Sequence, residues 1–163
     1  SPFSKGKLII NCFMIGLLLN IASNAIMLVY TTQVLKINLF ADWAGSLLLI
    51  LMGNVFGIAA GLLIGTNQNL TIQGRIIFAL ITNLVLSALA GMMGTAMKGF
   101  ANTFMPGFNQ FNPVALMVTG FYQLNRLVGS AQMGRTYLLL GAYTLALLGC
   151  ALWRLRRTRY DSL

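Results

Sequence analysis

Residues 43–65, WAGSLLLILMGNVFGIAAGLLIG, decide how this chain folds. The stretch carries no Lys, Arg, Asp or Glu. It exceeds the roughly 20 apolar residues that a helix needs to cross a hydrocarbon core about 30 Å thick. In a water-soluble protein such a run would be buried beneath a charged surface, and this chain has no material for one. Of its 163 residues 58% are hydrophobic and 8% are charged, against about 45–50% and about 25% in soluble domains. The mean hydropathy is +0.80. There is no His and no Glu, and the two acids are Asp42 and Asp161. An ordinary soluble enzyme is therefore excluded, and the bilayer is the expected solvent.

Three further segments read the same way: 8–30, 76–97 and 137–155, the last running into an Arg-rich end. The stretch 113–124, PVALMVTGFYQL, is too short to join them, since its helix would rise only about 18 Å. The expected fold is an all-α integral membrane protein with four transmembrane helices and a short re-entrant or interfacial outer helical hairpin. No Gly/Ser- or Pro-rich linker divides residues 1–163, so a single transmembrane domain is expected. The first apolar run is too long for a signal peptide. The chain begins with Ser, which reads as a processed product or a piece of a longer protein.

The net charge of +9 sorts by position. With four spans, Lys5, Lys7, Arg75, Arg154, Arg156, Arg157 and Arg159 fall on one side, and Lys36, Lys98, Arg126 and Arg135 on the other. By the positive-inside rule the first side is cytoplasmic. Both termini are then cytoplasmic in a multi-pass protein of the cell membrane. The charge reads as orientation and contact with anionic lipid rather than nucleic-acid binding.

Within the spans, Gly53, Gly57, Gly61 and Gly65 repeat at i, i+4 along one stripe. Small residues so spaced let helix backbones approach closely. They suit packing inside the subunit, a dimer face, or a surface that slides during transport. Asn20, Asn24, Asn54 and Asn83 are intramembrane amides that need partners in hydrocarbon. Interhelical hydrogen bonding is the plainer reading, and a polar lining for a translocation path is the functional one. No span holds an acid, which argues against carboxylate-based ion coupling. There is no phosphate-cradling GxxxxGK[ST] loop, no metal-ligand set and no nucleophile–base pair. Cys12 and Cys150 read as small hydrophobes. Catalysis and a bound cofactor are not expected.

Residues 98–136 are long for a loop and too apolar to be solvated, with Phe100, Phe104, Phe108, Phe111, Phe121 and Tyr122. Pro106-Gly107 marks a turn, and Asn112-Pro113 marks a turn followed by a helix start.

Together these residues resemble a known family. The order is a basic entry (PFSKGK), three spans, an outer hairpin with MPGFNQFNPVAL and FYQLN, and a last span ending in RRTRYDSL. This resembles the C-terminal half of the type-2 membrane subunits (permeases) of ATP-binding cassette exporters. The likeness lies in Lys7 before the first span, in Pro106, Asn112 and Pro113 of the hairpin, and in Arg157, Arg159, Tyr160, Ser162 and Leu163 of the tail. Family members usually have six spans, so the first two are expected either on an upstream part of a longer permease or on another chain.

The resemblance implies a translocation path between this chain and a second permease subunit, in a homo- or heterodimer. Energy would come from a separate ATP-binding cassette ATPase. Lys5, Lys7 and Arg75 would be the docking candidates, and the hairpin at 98–128, with Pro106, Phe111, Asn112, Pro113, Phe121 and Tyr122, would be an outer gate. The alternative is an ATP-independent channel, or a small four-span carrier or assembly subunit.

Overall fold

The computed structural model describes residues 5–38, 40–126 and 133–157. All regular structure among them is helical. Helix α1 (Lys5–Val29) continues through a π-helical turn, Tyr30–Val34, where the Thr31 and Thr32 hydroxyls donate to the Met27 and Leu28 carbonyls. Helix α2 (Trp43–Gly65) starts at Asp42, whose carboxylate accepts the Gly45 N–H at 3.1 Å. Helix α3 (Ile72–Ala90) starts at Thr71, whose hydroxyl accepts the Gly74 N–H at 3.1 Å. Each cap satisfies one of the donors that a helix start leaves open. Helix α7 (Met133–Arg157) closes the bundle. Four helices are thus long and apolar enough to cross a membrane: Ile9–Val34, Trp43–Gly65, Ile72–Ala90 and Met133–Arg154.

The third of these differs from the expected 76–97. It begins at Ile72, because Thr71 caps it, and it ends at Ala90. Gly91 and Gly94 adopt φ of 94° and 124°, a backbone region that only glycine enters cheaply. Met92 and Met93 between them keep the hydropathy high, so the apolar run outlasts the helix. The last helix likewise begins before the expected residue 137.

Between α3 and α7 lie α4 (Thr95–Phe104), the single-turn α5 (Phe108–Phe111) and α6 (Pro113–Asn125). Helix α6 lies along α2 in the opposite direction. A Cβ built on Gly45 would come 2.7 Å from Leu124 Cδ2, one on Gly120 2.9 Å from Leu49 Cδ2, and one on Gly53 2.7 Å from the Met117 sulfur. Asn125 therefore sits at the Trp43 end of α2, and the start of α6 reaches the level of Gly53 and beyond. From Trp43 to Gly53 is about 15 Å of helix, roughly half the core of a bilayer. The hairpin is re-entrant within the bundle rather than laid flat across its end.

Helix α7 runs parallel to α2. The Tyr137 hydroxyl donates to the Gly45 carbonyl at 3.1 Å, and Gly141 faces Met52. The buried core, Leu49, Leu124, Met133 and Leu140, is shared by α2, α6 and α7 toward the Trp43 end, with Met52, Met117, Phe121 and Tyr137 around it. Helix α1 meets α2 along one side. There Gly16 faces Ile58, and the Asn24 amide donates to Asn54 Oδ1 at 3.0 Å.

Candidate functional site

Helix α3 stops part-way along α2, so its last carbonyls need partners at a depth where water is scarce. Two asparagines, backed by a third, meet two of them. Asn112 Nδ2 donates to the Leu86 carbonyl at 2.9 Å, and Asn109 Nδ2 donates to the Leu89 carbonyl at 2.9 Å. The same Asn112 caps α6, with Oδ1 accepting the N–H groups of Val114 at 3.0 Å and Ala115 at 3.4 Å. Asn112 Nδ2 also reaches Asn109 Oδ1 at 3.3 Å, and Asn109 Nδ2 reaches Asn102 Oδ1 at 3.4 Å. Asn112 is 2% exposed. Its two donors and two acceptor sites are all engaged, which is what a buried amide requires. This ladder of amides welds the broken end of α3 to the start of α6, and one residue serves both helix ends.

Of the expected gate residues, Pro106, Phe111, Asn112 and Pro113 lie in or beside this unit, and Phe121 and Tyr122 lie toward the far end of α6. Pro106 and Gly107, the latter with φ of 84°, turn the chain into α5. Phe111 points outward, while its carbonyl accepts the Tyr143 hydroxyl of α7 at 2.9 Å. Pro113 is the first residue of α6 and, with Phe111, Phe56, Tyr143 and Leu147, lines a cavity of about 300 Å³. At the other end of α6, Phe121 stacks on Phe40 with ring centroids 5.8 Å apart. Tyr122 lies under the Arg126 guanidinium at 4.4 Å. The Ala41 N–H donates to Asn125 Oδ1 at 2.9 Å, tying the α1–α2 connection to the top of the hairpin. Residues 127–128 of the expected hairpin lie outside the described residues.

The amides proposed for a path do not converge. Asn20 donates to the Gly16 carbonyl of its own helix, and Asn24 and Asn54 bond to each other. Asn83 lines a separate, apolar cleft of about 540 Å³ between α2, α3 and α6. Gly53 and Gly57 of the glycine stripe line that cleft too. A Cβ on Gly57, Gly61 or Gly65 would meet nothing within 4 Å, so only Gly53 closes on a neighbour within this chain.

Of the docking candidates, Arg75 braces the α2–α3 turn, donating from Nε to Leu70 O and from Nη1 to Gly65 O. Lys7 is exposed near the start of α1, and the Lys5 side chain lies outside what is described, as do residues 158–163 of the tail. Among the described residues no cluster of three or more His, Cys, Asp or Glu forms.

Asn102 and Asn109 are members of the ladder that the sequence did not single out. The available signal was the pair Gly91 and Gly94 inside an apolar run, which announces a broken helix whose carbonyls must be met by nearby amides. Comparison of the chain with protein-family profiles, curated proteins and solved structures finds no match. The four apolar helices nonetheless make it a multi-pass helical membrane protein.

Proposed function

We propose that this chain is a membrane-spanning subunit of an ATP-binding cassette exporter, forming one side of a translocation path while a separate ATPase supplies the energy. The observation that carries the reading is the re-entrant hairpin held by the amide ladder. Backbone that leaves the helix at membrane depth is tolerated where it is buried in protein or lines a cavity. A break set by two glycines at positive φ and held by three amides therefore suits a path better than a passive anchor. The open flanks of Gly57, Gly61 and Gly65 supply a surface for a second permease subunit. The sequence carries no phosphate-cradling GxxxxGK[ST] loop, so the energy is assigned to a partner. The PFSKGK, FNQFNP and RRTRYDSL stretches support the same family reading.

The test is affinity purification of the full-length protein from native membranes. Recovery of a stoichiometric ATP-binding cassette ATPase, with hydrolysis that falls when residues 1–7 are removed, is the expected result. Absence of any ATPase, together with ion flux from the protein alone in liposomes, would replace the exporter by a channel.

A further inference from the structure

A third cavity, of about 600 Å³, opens beside the hairpin, lined by Asn109, Gln110, Leu116, Thr119, Gln123, Arg135 and Thr136. Its volume falls in the range of small-molecule sites, and its lining sets five amide and hydroxyl side chains around one guanidinium. No acid lines it. Of the chain's two acids, Asp42 caps α2, and Asp161 lies outside the described residues. Asn109 is committed to the ladder, but Gln110, Thr119 and Arg135 make no side-chain hydrogen bond among the described residues. Arg135 also stands in the first turn of α7, which holds no acid. A cation there opposes the helix dipole, and an anion beside it would relieve that opposition while meeting the guanidinium.

Depth narrows the choice further. Tyr137, two residues on, bonds Gly45 near the Trp43 end of α2, and Trp43 and Phe40 pack edge to face at the same end. Aromatic residues so placed mark the interface between hydrocarbon and water. The geometry points to a binding site for a phosphate ester carrying hydroxyl groups, with Arg135 on the phosphate and Gln110 and Thr119 on the hydroxyls. A guanidinium matches phosphate oxygens in a two-pronged fashion that a lone amide does not. The bare phosphate ion underfills the cavity, so the esterified polyol is part of the ligand. This site holds equally for an exporter or a channel.

The full chain in nanodiscs of phosphatidylcholine, and in nanodiscs of equimolar phosphatidylglycerol and phosphatidylcholine, separates the two sources of such a group. Phosphatidylglycerol retained by the released protein is read by native mass spectrometry. Soluble glycerophosphate is titrated against protein in phosphatidylcholine discs. Arg135→Gln is expected to weaken the bound species about tenfold, the loss of one charge-assisted contact. Lys36→Gln, an equal charge change at the same end but outside the cavity, is expected to leave it unchanged. Arg135-dependent retention of phosphatidylglycerol assigns the site to a lipid headgroup, and Arg135-dependent glycerophosphate binding alone assigns it to a soluble ester. Equal binding by the wild type and Arg135→Gln, with matching thermal midpoints in phosphatidylcholine discs, would overturn the site. So would an equal loss with Lys36→Gln.

Discussion

Helix α1 and helix α6 divide the labour of the bundle in opposite ways. The first is among the longest helices, and its 26-residue apolar span has a mean hydropathy of 2.1, yet none of that span's most apolar window is buried within the chain. Ile26 is 71% exposed and Leu19 67%. The second is 13 residues long, too short to cross, and it buries Ala115, Leu116, Gly120 and Leu124 against α2, α3 and α7. The difference teaches what lipid does to the hydrophobic effect. Acyl chains are as apolar as leucine, so α1 gains nothing by turning its leucines inward. Contact is instead decided by shape and by polar groups with nowhere else to go. Gly45, Gly53 and Gly120 let α6 lie close, and Asn112 cannot face lipid. The same rule explains why α7 has the lowest mean hydropathy of the four spans, 1.6, and the largest buried share, 22% of its window.

The contrast breaks most sharply at Asn112. Asn112→Leu removes a helix cap worth about 1 kcal/mol and takes the amide donor from the part-buried Leu86 carbonyl, about 1–3 kcal/mol. The thermal midpoint of the purified protein should drop by the equivalent of roughly 3 kcal/mol, with new protease cleavage between α4 and α6. A midpoint near wild type would mean that the ladder is incidental. Next comes Gly120→Val, whose branched side chain would press on Leu49. Overpacking of this kind costs about 1–3 kcal/mol, and trimming Leu49 to Ala in the same protein should recover part of the loss.

On the α1 side the effects should be smaller. Asn54→Leu breaks the single amide bridge to Asn24 and should cost about 0.6 kcal/mol, the average for such bonds in a membrane. A double-mutant cycle with Asn24→Leu measures the coupling. A value matching that of Asn112 would erase the distinction drawn between the two helices. Smallest is Gly57→Ala, which fills open space and should leave the stability of the isolated chain within about 0.5 kcal/mol. If it nevertheless abolishes self-association or partner binding in a crosslinking assay, the open stripe is the face of an assembly.

Length and charge were enough to read the crossing helices. The limits of α2 are written at both ends, by Asp42 before it and Thr66 after it. Where one apolar helix passes into an apolar turn, hydropathy has no contrast to offer. Met92 and Met93 look like membrane span, and only the flanking glycines reveal the break. Partnership was harder still. Asn24 and Asn54 are distant in sequence and give no sign of each other, while Asn20, spaced one turn from Asn24, bonds its own backbone instead. An amide in a span says that a partner is needed, not who it is. The lining of the Arg135 cavity could not be read at all, because it joins α5, α6 and α7 across a connection whose path no local pattern fixes.

The shortness of α6 also sets an order of events in time. Each long helix can be handed to the lipid as it emerges during synthesis, since its own backbone bonds are complete and its length matches the bilayer. A 13-residue helix cannot be stored there alone. Its seat needs Leu49 from α2, the Leu86 carbonyl from α3 and the Tyr143 hydroxyl from α7, and the last of these is made after α6 itself. The hairpin must therefore wait at the surface until α7 arrives, and the bundle closes from its middle only after α7 has been synthesised.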